Sequence, residues 1–320
     1  MGDIDENVAF SFLSSFADDT RLLREVNGVR DASSLQTDLE AVYQWAEDNN
    51  ALFNNEKFEA LRYGINEILK LTTSYTAPDG TLIAEKDQLR DLGVTMSADS
   101  TFKQHINNIC LSAKNMCSWI LRTFKSRSPD LMLTLWRSLV LPILDYCSQL
   151  WSPSKVGEIQ QIEEVQRVFT RKIHAANRKD YWLRLKTHHL YSLERRRERY
   201  RILYVWKILE GIVPNLGGHS EILPKPSLRY GRLCRVPPLN NTASTKFQSL
   251  REGSFCINAP RLFNSIPSHL RNLTGVSLLT FKQELDKFLL TVPDEPLCNG
   301  YTGCRRAESN SLLHMIPVLG

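Results

Sequence analysis

What the sequence lacks narrows the field before any motif is considered. It has no Cys-x-x-Cys pair, and its seven cysteines are scattered and odd in number. Neither a zinc ribbon nor a closed disulfide framework is expected. Cys298, Cys304 and His314 lack the paired spacing that a metal requires. This usage fits a reducing compartment, nucleus or cytoplasm. There is no glycine-rich nucleotide loop and no nucleophile-base signature of a hydrolase. The most apolar long stretch, Leu131 to Trp151, carries Arg137, Pro142 and Asp145. Burying those in lipid costs several kcal/mol, so no membrane span is expected. Met1 to Asn7 is acidic where a secretory leader is basic and then apolar, so no export is expected.

What is present describes an ordinary folded chain with an uneven charge. Of 320 residues, 42% are apolar and 23% charged, enough for two or three units with their own cores. Residues 1–60 hold thirteen acids against four bases, and residues 165–207 hold three acids against thirteen bases. Such polarity suits a protein that holds metal ions at one place and a phosphate backbone at another. Two solvated helical faces of opposite sign are the plainer alternative.

The first hundred residues read as mixed α and β. Val8 to Phe16 and Arg21 to Val26 are strand-like runs around Ala17-Asp18-Asp19-Thr20, a hairpin with carboxylates at its tip. Leu35, Leu39, Val42, Ala46 and Asn49 space a helix, with Asp31 and Ser33 as caps. Residues 58–63 and 65–74 read as a second strand pair, and Leu89 to Thr95 as a further strand.

Beyond that the chain becomes helical. Phe102 to Phe124 carries an unbroken apolar stripe. Pro129 opens the next helix, which Pro142 kinks or stops. Val156 to Ile173 and Leu193 to Trp206 stripe two more. Residues 213–246 are rich in proline, glycine and polar side chains and read as a linker. Residues 247–292 regain helical order, and 293–320 show no pattern and read as a disordered tail.

Two features carry chemistry. Adjacent carboxylates on a hairpin tip are the oxygen donors that Mg²⁺ takes in nucleotidyl transfer, although Asp-Asp in a turn is by itself ordinary turn chemistry. The basic region includes Arg167, Arg171, Lys172, Arg178, Lys179, Arg195, Arg196 and Arg197, interleaved with Tyr181, Trp182, Tyr191 and Tyr200. Cations neutralise phosphates and rings stack on bases. Alternatively the rings belong to the core and only the charges face water.

The flanking residues add a resemblance. Ser15-Phe16-Ala17-Asp18-Asp19-Thr20 resembles the aromatic-x-Asp-Asp motif of reverse transcriptases in the form found in non-LTR (LINE-type, jockey-like) retrotransposons. Leu35-Gln36-x-Asp38-Leu39 with Trp45, Asn50, Phe53-Asn54 and Lys57 resembles the family's next block, and Leu92-Gly93-Val94 its primer-grip turn. Asp91 departs from it, standing where the family has an aromatic residue. Phe102-x-x-His105-Ile106, Trp151-x-Pro153, Ile162-Glu163-x-x-Gln166-Arg167, Tyr181-Trp182-x-x-Leu185, Leu193-Glu194-x-Arg196-Arg197 and Phe263-Asn264-x-Ile266-Pro267 come in the family's order. The resemblance runs from about Gly2 to Leu289.

It implies an α+β fold: a partial palm of β-hairpins plus a helix over 1–97, a mostly α-helical thumb over 98–212, and a basic C-terminal region. It implies an RNA template, a DNA primer, dNTP, and Mg²⁺ or Mn²⁺ on Asp18 and Asp19, with Asp18 bridging the ions and Asp19 the weaker ligand. Lys57 would lie near the incoming triphosphate, though an exposed lysine between Glu56 and Phe58 is ordinarily a solvated charge. Gly93 would meet the primer, and the basic thumb the duplex. No residue maps to the family's upstream metal-binding aspartate or to its fingers, so the chain by itself is expected to be an inactive fragment, or else a nucleic-acid-binding remnant.

Overall fold

The computed structural model describes residues 4–51, 53–64, 66–173, 180–215, 221–225, 231–238, 245–296 and 310–316. The chain divides into two compact units, Met1–Thr101 and Phe102–Gly320.

In the first unit, β1 (Phe12–Phe16) and β2 (Asp19–Leu23) form an antiparallel hairpin. Leu13 and Leu22 are cross-strand partners, and their side of the hairpin packs on α1 (Val29–Asp48). The helix offers Ala32, Leu39, Val42, Trp45 and Ala46, all buried and on one stripe. Each larger side chain buried there contributes about 1.5–3 kcal/mol. α1 starts earlier than its apolar pattern implies. Asp31 therefore lies inside the first turn rather than at the cap, where its carboxylate accepts the Asn27 amide at 2.9 Å and pairs with Arg24 at 3.1 Å.

The expected second strand pair is largely replaced. Only β3 (Glu59–Ala60) is extended, and Glu67–Thr72 is a helix, α2. The cause is local: the Asn66 side chain accepts the Leu69 amide at 3.1 Å and caps the helix. β3 instead pairs in parallel with β4 (Ala84–Glu85). β5 (Gln88–Asp91) and β6 (Val94–Ser97) form a second hairpin, where one strand was expected.

The second unit opens with α3 (Lys103–Thr123) and α4 (Pro129–Leu135). Pro142 does not stop the helical run. Trp136–Val140 is a π-helical turn in which the Leu141 amide reaches the Trp136 carbonyl, and α5 (Leu141–Asp145) continues. Proline has no amide proton to give, and widening the preceding turn accommodates that loss. Then come α6 (Ser148–Trp151), α7 (Val156–Thr170), α8 (Tyr181–Thr187) and α9 (Leu193–Leu209). Short strands β7 (Pro224–Lys225) and β8 (Leu233–Cys234) pair within the stretch expected to be a linker, and Ile222 and Cys234 there are buried. The unit ends with α10 (Thr245–Gly253), α11 (Phe255–Ser265), α12 (Ser268–Arg271), α13 (Leu278–Thr291) and α14 (Leu312–Met315).

α9 is the central helix. Eleven of its seventeen residues are buried, and Ile202, Val205 and Trp206 meet Leu262, Phe263, Phe281 and Leu285. Trp206 stacks on Phe281 with centroids 4.6 Å apart, and its Nε1 donates to the Leu273 carbonyl at 2.8 Å. Leu312 and Met315 complete this core. Part of the stretch expected to be a disordered tail is therefore a packed element, and a helix of four residues is too short to show a period in sequence.

Candidate functional site

The acidic tip is built by the hairpin register. Phe16 pairs with Asp19, leaving Ala17 and Asp18 as a two-residue turn. Ala17 has φ +54 and Asp18 does not share the positive sign, the pattern of a type II′ turn, which matches the natural strand twist. Asp18 and Asp19 are both exposed at the tip.

The β1–β2 face turned away from α1 carries Phe12, Phe16 and Leu23, at 67%, 64% and 49% exposure. Strand alternation explains it, because Leu13 and Leu22 take the α1 side.

Two residues of the block after the hairpin have structural roles that the sequence did not disclose. Asp38 is buried at mid-helix and accepts the amides of Ala9 at 2.9 Å and Phe10 at 3.1 Å, fixing the backbone just before β1. Gln36 reads the Thr76 backbone at both ends, donating to its carbonyl and accepting its amide at 3.0 Å each. The signal was a polar residue on an apolar stripe.

Gly93 lies at the β5–β6 turn. Leu92 has φ +42 and Gly93 φ +84, the type I′ pattern that favours glycine at the second position. Lys57 is exposed at the end of a short 3₁₀ turn, Asn55–Lys57. Asp18 and Asp19 thus share one tip, whereas Lys57 and Gly93 sit on separate elements of the same unit.

Two adjacent carboxylates are oxygen donors of the kind that hard divalent cations take. Two-metal chemistry needs ligands shared between ions roughly 3.5–4 Å apart. Among the described residues no three Asp, Glu, His or Cys side chains are grouped so as to hold an ion. The donors present do not make a complete metal centre.

The expected basic face is redistributed. Arg171 and Lys172 are exposed past the end of α7. Arg167 is half-buried, 3.3 Å from Glu164 and over the Tyr181 ring. Arg178 and Lys179 lie outside the described residues.

Arg195 and Arg197 are corrected: both are buried, at 0% and 1% exposure, and cannot meet a phosphate strand. Arg195 donates to the carbonyls of Val292, Pro293 and Asn310 at 3.2, 2.9 and 3.1 Å. Its Nε lies 3.8–3.9 Å from Asp294 and Glu198. Arg197 sits among Glu194, Glu163 and Asp145, and burial pulls its pKa down. Arg196 remains half-buried, paired with Asp145 at 2.5 Å. Tyr181 is a core ring whose hydroxyl donates to Glu163, and burial pushes the Glu163 carboxyl up to about 7.

Comparison with known proteins gives the class. The chain is 26% identical over 172 residues to the RNA-directed DNA polymerase from mobile element jockey of Drosophila melanogaster, covering 51% of this chain and 18% of that protein. The counterpart of Drosophila funebris is 24% identical over 170 residues, with the same coverage. An uncharacterized protein of Caenorhabditis elegans is 24% identical over 88 residues, 28% of this chain and 44% of its own length. No protein-family profile matches the chain, and no solved structure does. The chain is thus a relative of the RNA-directed DNA polymerases of mobile elements. Within that class it is jockey-like, and it spans about a fifth of the length of the jockey relatives it matches. Among the described residues no helix is long and apolar enough to cross a membrane.

Proposed function

We propose that the chain is part of a reverse transcriptase of a non-LTR retrotransposon, with residues 1–97 as palm and 98–212 as thumb. In this reading Asp18 and Asp19 supply two of the carboxylates that hold Mg²⁺ or Mn²⁺ beside a primer end. Lys57 faces the leaving pyrophosphate, and Gly93 lets the β5–β6 turn approach the primer. The observation that carries it is the exposed hairpin tip, with Asp18 in its two-residue turn and Asp19 at the start of β2, in a jockey-like chain. We further propose that the chain alone does not extend a primer. The test is primer extension on a homopolymer template with Mg²⁺ or Mn²⁺. No incorporation is the expected result, and templated synthesis abolished by Asp18→Ala would overturn it.

A second reading keeps nucleic-acid contact and drops catalysis. Arg171 and Lys172, exposed at one helix end, favour it, because phosphate contact needs only accessible cations. Salt-dependent binding of RNA or DNA by the purified chain supports that reading, and indifference to both refutes it.

A further inference from the structure

The helical unit holds a cleft that joins Arg196 and Tyr191 of the sequence's basic region to side chains that the sequence pattern did not single out. A cleft of about 340 Å³ is lined by Arg137, His189, Tyr191, Arg196, Arg199 and Asp286. These side chains come from three parts of the chain, near 137, 189–199 and 286, and three backbone features help gather them. Arg137 rides on the π-helical turn ahead of Pro142. His189 has φ +50 just past α8, so the chain reverses there and brings Tyr191 to the same cleft. α9 contributes Arg196 and Arg199, three residues apart and therefore on one face.

The charges are arranged for an incoming anion. Arg199 binds Asp286 through Nε and Nη2 at 2.5 and 2.7 Å. Arg196 binds Asp145 through Nη2 at 2.5 Å. A guanidinium has five N–H donors in a rigid fork. Each of these pairs orients a side chain, and among the described residues neither Nη1 has a hydrogen-bond partner, so two forks are held in place before any ligand arrives. Arg137 is exposed and has no ion-pair partner among the described residues. With Arg196 paired to Asp145 and Arg199 to Asp286, Arg137 gives the cleft its uncompensated positive charge among the described residues. Leu141 and Leu190 complete its walls.

We propose that this cleft binds a phosphate group of a nucleic-acid strand, with Arg137 and His189 as the free contacts and Arg196 and Arg199 as the fixed ones. The proposal rests on the reading in which the helical unit touches nucleic acid. It names the place that takes over from the buried Arg195 and Arg197.

The test uses the full chain and a fluorescein-labelled single-stranded oligonucleotide, followed by anisotropy across a salt series. Arg137→Gln combined with His189→Gln removes two contacts without breaking an ion pair. It is expected to weaken binding roughly tenfold and to flatten the dependence of log affinity on log salt by about one. Arg171→Gln with Lys172→Gln serves as the reference for general charge. If the wild type binds and the cleft variant binds equally well, or loses no more than the reference variant, the cleft proposal fails while the nucleic-acid reading stands. If the wild type ignores the oligonucleotide but binds inorganic pyrophosphate in a variant-sensitive way, free phosphate is the source and the nucleic-acid reading fails. Binding of neither removes both. Competition by polyglutamate as effective as by unlabelled oligonucleotide would show a receptor for carboxylates and sink the phosphate assignment.

Discussion

Arg21 on β2 grips Asp91 at the end of β5: its Nε lies 2.7 Å and its Nη2 2.6 Å from the same carboxylate oxygen. Asp91, the residue that departs from the family's primer-grip pattern, thereby ties the acidic hairpin to the turn bearing Gly93. Both side chains are about a third exposed, so the pair is worth no more than about 1 kcal/mol. Asp91→Asn is expected to lower the stability of the first unit by about 0.5–1 kcal/mol. Chemical unfolding in low and high salt checks it, because the difference should shrink as salt screens the wild-type pair.

Ala17 occupies a turn position with φ +54, where a Cβ is a liability and glycine is not. Ala17→Gly is expected to stabilise the hairpin by about 0.5–1 kcal/mol, and Ala17→Val to destabilise it by more. Unfolding midpoints of the two variants should fall on opposite sides of the wild type.

Arg195 is the hub of a buried polar network. Arg195→Ala takes the donor from three carbonyls and removes the buried positive charge that lies 3.8–3.9 Å from Glu198 and Asp294. A loss of about 3–5 kcal/mol is expected. Differential scanning calorimetry should show a lowered melting transition for the helical unit.

Glu163 gives the unit a pH dependence of definite sign. Its folded pKa is raised from 4.5 to about 7 by burial, against the hydrogen bond from Tyr181. The folded state therefore holds the proton more tightly than the unfolded chain. The resulting stability is full below pH 4.5 and is lost as pH rises through about 7. Glu198, also raised by burial, acts in the same direction. Glu163→Gln keeps an acceptor for the Leu193 amide, which sits at 2.9 Å, and removes the ionisation. Stability measured from pH 4 to 8 should decline less steeply in that variant than in the wild type.

Leu312 is fully buried against the Trp206 and Phe263 core. Leu312→Ala is expected to cost about 2–5 kcal/mol, measurable by urea unfolding. A cost near zero would mean that the segment 310–316 is not seated there.

The sequence made some of these elements legible and hid others, for physical reasons. The acidic hairpin was readable because two apolar runs flank a short polar turn, and α1, α3, α7 and α13 because each shows one apolar stripe to one core. α2 was missed because a single capping asparagine outweighed a strand-like composition. α9 misled most. Its run of arginines resembles a solvated face, yet the partners Asp145, Asp286 and Asp294 lie on other elements or far along the chain. No local pattern reports such distant neutralisation. The cleft residues Arg137 and His189 escaped for the same reason, since only the folded unit brings them together.

The long reach of α9 also sets a schedule for synthesis. Arg195 closes one of its hydrogen bonds on a residue 115 positions downstream, and Glu198 accepts from one 113 positions downstream. A nascent chain emerging from the ribosome carries this charged helix into water long before Asn310 and Ser311 exist. Until they are translated, Arg195 and Glu198 lack those two partners, and a premature stop shortly before codon 310 leaves both charges without them.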